Sequence, residues 1–375
     1  MSPALVACAA AFLVAVALVP PLAIVARRNG AVAMPRSDRF NPRPVPVLGG
    51  LAIAGGVVAG ALALAPAADL VPVLAGMAVM ATLGLADDLR YVPPILRVLI
   101  EAVTAAAMTW LVTPMLEPPI RVAAIALATV CIPVAVNAVN LVDNADGLAS
   151  LLSIVTALTL AAIGIAVAVP SVAVGLSLVI AAASLGFLVH NRPPARVFMG
   201  DSGSLLLGFG LAACSVLVVR DALLLPGSVH AAAAIAVPLA WAVQIGDLGM
   251  VFVTRLRRRA SPFRGGVDHT SHRLIAAGVG PTGMLIVLSL LAASLGAAAV
   301  WLAATVGDFR LVAAAVIALT LGVAAFEAVV AWRLPYGGRG LEPSAATGGN
   351  APTLDPVADP PPAGRRGSAA SRRTS

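Results

Sequence analysis

Eleven apolar runs, most of them close to twenty residues long, follow one another along this chain, and nothing else in it narrows the choice of fold so far. A run of about 20 apolar residues matches the thickness of a bilayer's hydrocarbon core, where only helices and closed barrels satisfy their own backbone hydrogen bonds. The runs lie at about 5–26, 47–66, 71–86, 95–113, 121–141, 149–168, 171–189, 204–219, 230–254, 282–304 and 310–332. They predict an all-α, polytopic integral membrane protein of about 11 transmembrane helices. Composition agrees: 60% of residues are hydrophobic and 11% charged, against about 25% charged in a soluble domain. The first run has no basic residue before it and Arg27-Arg28 after it, which reads as a first span rather than a cleaved signal peptide. Residues 1–334 form the membrane domain; the tail 335–375, rich in Pro, Gly and Arg, has too little apolar surface to order itself and is expected to be disordered.

Charge supplies the orientation. The net charge of +7 comes from arginine alone, and arginine flanking membrane spans explains it better than a nucleic-acid partner. If the loop holding Arg27, Arg28, Arg36, Arg39 and Arg43 is cytoplasmic, alternate connections take nearly every other arginine, leaving Arg121, Arg220 and Arg310 outside. The expected topology therefore has the N-terminus outside, the C-terminus cytoplasmic and the protein multi-pass in the plasma (inner) membrane. The three cysteines sit in separate apolar runs and read as small hydrophobes.

Patterned acids gather in the same loops. NAVNLVDNADGLAS places Asn137, Asn140, Asp143 and Asp146 at intervals of three, ahead of Gly147. On an α-helix such a ladder fans around the circumference, whereas on a 3-10 turn it stacks on one side. The helix is expected to tighten or end here and aim its acids into a cytoplasmic pocket. Asp87 and Asp88 leave the third run as an adjacent pair, and paired carboxylates ask for a cation; Mg²⁺ is typically held by one or two carboxylates, waters and substrate phosphates. VFMGDSGS around Asp201 brings small residues to a helix start, where amide donors favour a phosphate. Half of the four histidines, His269 and His272, stand beside Arg273 in GGVDHTSHRL. Phosphate suits that pair better than zinc, which wants more ligands than this window offers. Singly, each feature has an ordinary structural reading as a helix cap, a tight turn or a topogenic charge cluster; the ordered set is what argues for a site.

Together these segments resemble the polyprenyl-phosphate N-acetylhexosamine-1-phosphate transferase family, which includes phospho-N-acetylmuramoyl-pentapeptide transferase and the GlcNAc-1-phosphate transferases that start cell-envelope glycans. The resemblance rests on DD after the third run, NxxNxxDxxDGLA after the fifth, NxxPAxVFMGDSGS before the eighth and HxxHRL after the ninth, with PVPVLGG ending at Gly50 similar to the first-loop motif. It covers roughly residues 27 to 280. It implies a cytoplasmic-face enzyme with Mg²⁺, Mn²⁺ being a substitute, that moves sugar-1-phosphate from a UDP-N-acetylhexosamine to a polyprenyl phosphate and releases UMP. A homodimer is among the expectations. Residue by residue, Asp201 matches the family's metal ligand, with Asp87 and Asp88 the acidic pair of metal handling or proton abstraction. Asn137, Asn140, Asp143 and Asp146 match the ladder of the nucleotide-sugar pocket, Asn191 and Phe198 the positions that contact the base, and His269, His272 and Arg273 the phosphate loop. Asp87, Asp88, Asp146 and His269 are the expected catalytic groups, and Asp88 joins Asp201 as a metal ligand.

Asn144 and Ser271 depart from the commoner family pattern, and the lysines of the muramoyl-type enzymes are absent, which favours a GlcNAc-type donor. Glu101 and Asp247 lie within spans, where a charge is a functional candidate. Asp247, about 10 Å deep by helix rise, resembles a family aspartate and reads either as functional or as a buried structural partner, and Glu101 reads as a snorkelling or paired residue. A secondary transporter would place its acids mid-membrane in matched halves, which this chain does not do.

Overall fold

The computed structural model describes residues 2–34, 43–64, 66–168, 171–224, 228–259, 261 and 266–334. The tail expected to be disordered lies outside them. Helices α1 (Pro3–Arg28), α3 (Leu70–Leu89), α4 (Pro94–Val112), α5 (Pro118–Val142), α6 (Leu148–Ala166), α7 (Ser171–Asn191), α8 (Gly200–Leu224), α12 (Gly280–Thr305) and α13 (Phe309–Arg333) are each long and apolar enough to cross a membrane. A tenth such span, Ala231–Arg257, is built from α9 (Ser228–Ala236), a 3-10 turn at Val237–Trp241 and α10 (Ala242–Arg257). Short α11 (Thr270–Ala276) carries the histidine loop.

Among the described residues ten spans are long and apolar enough to cross a membrane, and the remaining run forms a shorter apolar helix. The run at 47–66 forms α2 (Gly49–Leu62), 14 residues and about 21 Å long, short of the hydrocarbon thickness. Its start is tied down: Gly49 N–H donates to Phe198 O at 3.1 Å and Gly50 N–H to Met199 O at 2.8 Å.

The ninth run also departs from one straight helix. Pro238 has no N–H to continue the ladder, and the chain tightens into a 3-10 turn around it. Neighbouring side chains satisfy what the break exposes: Thr156 donates to Ala240 O (2.9 Å), Gln244 to Thr156 Oγ1 (2.8 Å) and Trp241 Nε1 to Ser215 Oγ (3.0 Å).

α8 is the central post, with 83% of its most apolar stretch buried, and α3 and α5 pack along it. The crossing with α3 is backbone on backbone. A Cβ at Gly84 would stand 2.2 Å from the carbonyl oxygen of Asp201, so only glycine lets the two helices meet at the height of the acids. At the far end of α8, buried Arg220 donates to Asp69 (2.8 Å), Asp221 (2.7 Å) and Val112 O (2.6 Å), tying together α8, the start of α3 and the end of α4. Leucines, valines and tryptophans on α1, α4, α12 and α13 face outward, as a lipid solvent requires.

Candidate active site

The site is assembled where α3 ends, α4 begins, α5 ends and α8 begins. Arg97, on the first turn of α4, is its centre. Nη1 donates to Asp87 Oδ2 and Asp201 Oδ2, both at 3.2 Å; Nη2 donates to Asn137 Oδ1 and Asn140 Oδ1, both at 2.8 Å. Nε stands 3.3 Å from Glu101 Oε1, one turn along the same helix. Sequence reasoning counted Arg97 only as a topogenic charge. Its signal was the Arg97–Glu101 pair, spaced four residues apart inside an apolar run, where an isolated charge is costly.

The two asparagines orient the acids. Asn140 Nδ2 donates to Asp201 Oδ1 (2.8 Å) and Ser204 Oγ (2.9 Å), and Asn137 Nδ2 to Glu101 Oε2 (2.6 Å). Asp87 keeps its other oxygen on Val92 N–H at 2.9 Å. Asp87, Arg97, Asn137, Asn140 and Asp201 line one cavity of about 750 Å³, whose remaining wall is largely apolar: Val98 from α4, Pro133 and Val134 from α5, and Ile245, Leu248 and Phe252 from α10.

Asp88 takes a different place from its neighbour. Its oxygens accept from the amides of Asp201 (2.9 Å) and Ser202 (3.1 Å), capping α8 from another helix. Gly200, at φ +69°, makes the turn that presents those amides, and any Cβ there would strike the Asp88 carboxylate at 2.6 Å. Asp88 therefore sets where Asp201 stands and does not line the cavity.

The ladder divides in the same way. α5 does tighten at its end, Asp143 N–H closing on Asn140 O three residues back, and Gly147 adopts the left-handed turn at φ +77°. Asn137 and Asn140 face the cavity, whereas Asp143 and Asp146 do not line it. Asp146 Oδ2 accepts from Ala195 N–H at 2.8 Å. Burial pushes its carboxyl above the ordinary range, against the pull of that amide. Asn191, 2% exposed, clasps the turn to the next loop: its oxygen accepts from Gly147 N–H (3.0 Å), and its Nδ2 donates to Val197 O (2.9 Å). Phe198 is half-buried and joins the first loop through backbone bonds to Pro46 O (2.8 Å) and from Gly49. This zipper is what PVPVLGG does.

The histidine loop abuts the turn, where Ser271 Oγ donates to Asn144 Oδ1 at 2.6 Å. The two residues that depart from the commoner pattern thus touch one another. His269 Nδ1 meets Asp247 Oδ2 at 2.8 Å, and its ring stands 5.9 Å from that of His272. Arg273 donates to Asp268 O (3.2 Å) and to Ala331 O (3.1 Å) at the end of α13. Asp268 is held by Arg255 (3.3 Å) and Arg258 (3.1 Å), so part of the loop's arginine cluster is structural.

No group of three or more His, Cys, Asp or Glu set for a metal occurs among the described residues. Mg²⁺ asks for less than that. Asp87 and Asp201 each reach the same guanidinium nitrogen from the cavity wall, with room beside them for waters and phosphates, and this donor set fits the ion.

Comparison with known proteins agrees with this geometry. Residues 70–219, which hold Asp87, Arg97, the ladder and Asp201, match the family described as glycosyl transferase family 4. A probable undecaprenyl-phosphate N-acetylglucosaminyl 1-phosphate transferase of Bacillus subtilis is 30% identical over 285 residues, covering 73% of this chain and 78% of its own. The decaprenyl-phosphate N-acetylglucosaminephosphotransferase of Mycobacterium tuberculosis is 33% identical over 305 residues, 69% of this chain and 72% of its own. A phospho-N-acetylmuramoyl-pentapeptide-transferase of Desulforamulus reducens is 48% identical over a shorter stretch of 92 residues, 24% of this chain and 26% of its own. With relatives of that extent and the same acids gathered at one cavity, the chain belongs to glycosyl transferase family 4, the polyprenyl-phosphate N-acetylhexosamine-1-phosphate transferases.

Proposed function

We propose that this protein transfers GlcNAc-1-phosphate from UDP-GlcNAc to a polyprenyl phosphate at the cytoplasmic face of the membrane. The observation that carries the reading is the cavity itself, whose lining joins two carboxylates and a guanidinium to an apolar wall from α4, α5 and α10. Such a site suits an acceptor with a phosphate head and an isoprenoid tail. The GlcNAc-type donor is supported by the extent of the relatives so named, about 70% of this chain against a quarter for the muramoyl type. The arginine-rich loops at the same end of the bundle support a cytoplasmic face for the site.

In this reaction an oxygen of the lipid phosphate attacks the sugar-bearing β-phosphorus of the donor. The bond from that phosphorus to the bridging oxygen breaks, and UMP leaves with its electron pair. Phosphoryl transfer needs positioning and charge neutralisation more than covalent help. A phosphate monoester is mostly a dianion at pH 7, so no strong base is required, and Asp87 serves to orient rather than to deprotonate. Asp87 and Asp201 would hold Mg²⁺, which would supply charge neutralisation at the phosphates. Arg97, whose Nη donors are already taken by Asp87, Asp201, Asn137 and Asn140, lends its positive charge to the site from behind these side chains, while Asn137 and Asn140 keep it and Asp201 in register.

The test uses membranes containing the protein, radiolabelled UDP-GlcNAc, Mg²⁺ and polyprenyl phosphate. Labelled lipid and free UMP should form with the wild type and be lost in Asp201→Asn. Label moving only from another UDP-sugar would refute the donor and keep the reaction type.

A further inference from the structure

Glu327 is the one acid of α13, and the chemistry above does not use it. Its helix is among the most lipid-exposed in the protein, with buried positions only at Val312, Val316, Val323, Glu327 and Val330. Glu327 therefore stands on the single stripe that faces protein, about 9 Å in from the helix end at Arg333. It is 3% exposed, and its Oε1 has no hydrogen-bond partner among the described residues. A carboxyl at that depth is costly and marks a functional group by default.

Its other oxygen accepts from the hydroxyl of Thr270. Thr270 opens α11, where no helical carbonyl lies four residues behind it to take the hydroxyl proton, and the sulfur of Met250, at 3.8 Å, is a weak alternative. The amide of Thr270 donates to Asp247 Oδ1 at 2.8 Å, and Oδ2 of the same carboxylate holds His269 Nδ1 at 2.8 Å. One residue thus joins an acid from α13 to the acid from α10 that orients the imidazole. Gly246 permits the approach: a Cβ there would stand 2.9 Å from Val323 Cγ1 and 3.4 Å from Glu327 Cγ. Arg273 ties the end of α13 to the same short helix, so α13 grips the histidine loop at two points.

We propose that Glu327 is a positioning residue for the transfer reaction, holding Thr270 so that Asp247 keeps the His269 ring engaged through Nδ1 in the loop that abuts the turn after α5. The proposal deepens the function proposed above and rests on it for its catalytic consequence. A bond from a rigid helix orients the loop more firmly than a bond to water does.

The experiment takes the full chain in lipid nanodiscs with Glu327→Leu, Glu327→Gln, Thr270→Val, His269→Ala and the double variant Glu327→Leu/His269→Ala. Turnover of UDP-GlcNAc gives kcat and donor KM, and amide deuterium exchange of the 268–276 segment reports the contact without turnover. Glu327→Leu should lose about 10- to 100-fold in kcat with donor KM within about threefold, and Thr270→Val should match it. Glu327→Gln, which keeps an acceptor oxygen, should recover most of the rate. The double variant should be no slower than His269→Ala alone, because both act through one imidazole. Exchange in the loop should speed up with Leu and Val and stay near wild type with Gln.

Losses that multiply in the double variant would overturn the proposal, as would a Leu variant with wild-type kcat. Unchanged exchange would overturn the contact whatever the turnover. A wild type that transfers nothing from any UDP-sugar, yet shows the faster exchange on Glu327→Leu, would refute the reaction and keep the Glu327–Thr270–His269 link.

Discussion

Replacing Arg97 by methionine separates the two duties of its guanidinium. Arg97 is the one cation among three carboxylates, Asp87, Glu101 and Asp201, and its side chain is 14% exposed while that of Glu101 is fully buried. Removing one partner of a buried ion pair costs about 3–5 kcal/mol. At about 2 °C per kcal/mol for a large domain, Arg97→Met should melt roughly 6–10 °C below wild type. Differential scanning fluorimetry on the intrinsic tryptophans of the detergent-solubilised protein reads this directly. Adding Glu101→Leu removes the most deeply buried of the stranded charges and should return a good part of the shift. Activity should behave differently. Arg97→Lys keeps a charge near the acids, but one ammonium cannot serve two carboxylates and two asparagines at once, so kcat should fall about 100-fold while the melting point moves little. An Arg97→Met protein that melts with the wild type would refute the electrostatic account of the cluster. A Lys variant with full kcat would refute the role of the fork.

Four further outcomes follow from the geometry. Asp87→Asn should keep a residual rate and a flat profile above pH 7, and loss rescued by high pH would show instead that Asp87 acts as a base. Gly84→Ala drives a methyl into the Asp201 carbonyl, 2.2 Å away, and should abolish folded protein on size-exclusion chromatography, whereas the same change at Gly322, open around its Cβ, should be tolerated. Arg220→Met strands Asp69 and Asp221 far from the cavity, so stability should fall by about 3–5 kcal/mol with donor KM unchanged. Folding raises the Asp146 carboxyl above its unfolded value, so its contribution is full below the unfolded value and lost as pH rises through the folded one. Asp146→Asn, which can still accept from Ala195 N–H, should therefore flatten that part of the melting-point-versus-pH curve, and an unchanged curve would sink the assignment.

The spans were legible because hydrocarbon imposes one rule on every residue, and hydropathy reads it locally. α2 is shorter than its run: its first turn is pinned by backbone bonds to Phe198 and Met199, far along the chain, and the helix ends at Leu62. The site was legible in its inventory and less so in its assignments. Asp87, Asp201, Asn137 and Asn140 do meet at one cavity, but nothing local distinguishes Asp87 from Asp88; the difference is that Asp88 lies under the first turn of α8. Arg273 also bonds Ala331 O and Asn191 also bonds Val197 O, contacts with neighbouring segments that no local pattern foretells. Glu327 stood in an unpatterned apolar run, and only the packing of α13 on α10 shows what it meets.

The apolar wall of the cavity changes what concentration means for this enzyme. Val134, Ile245 and Phe252 are part of that wall and are themselves partly exposed. Under the proposed function a UDP-sugar would arrive from water in three dimensions, whereas a polyprenyl phosphate would diffuse within a sheet. For the acceptor the governing variable is its mole fraction in the bilayer or micelle, not its molarity. Adding detergent at constant total lipid substrate should then slow the reaction by surface dilution, and an acceptor KM has physical meaning only when quoted per unit of membrane.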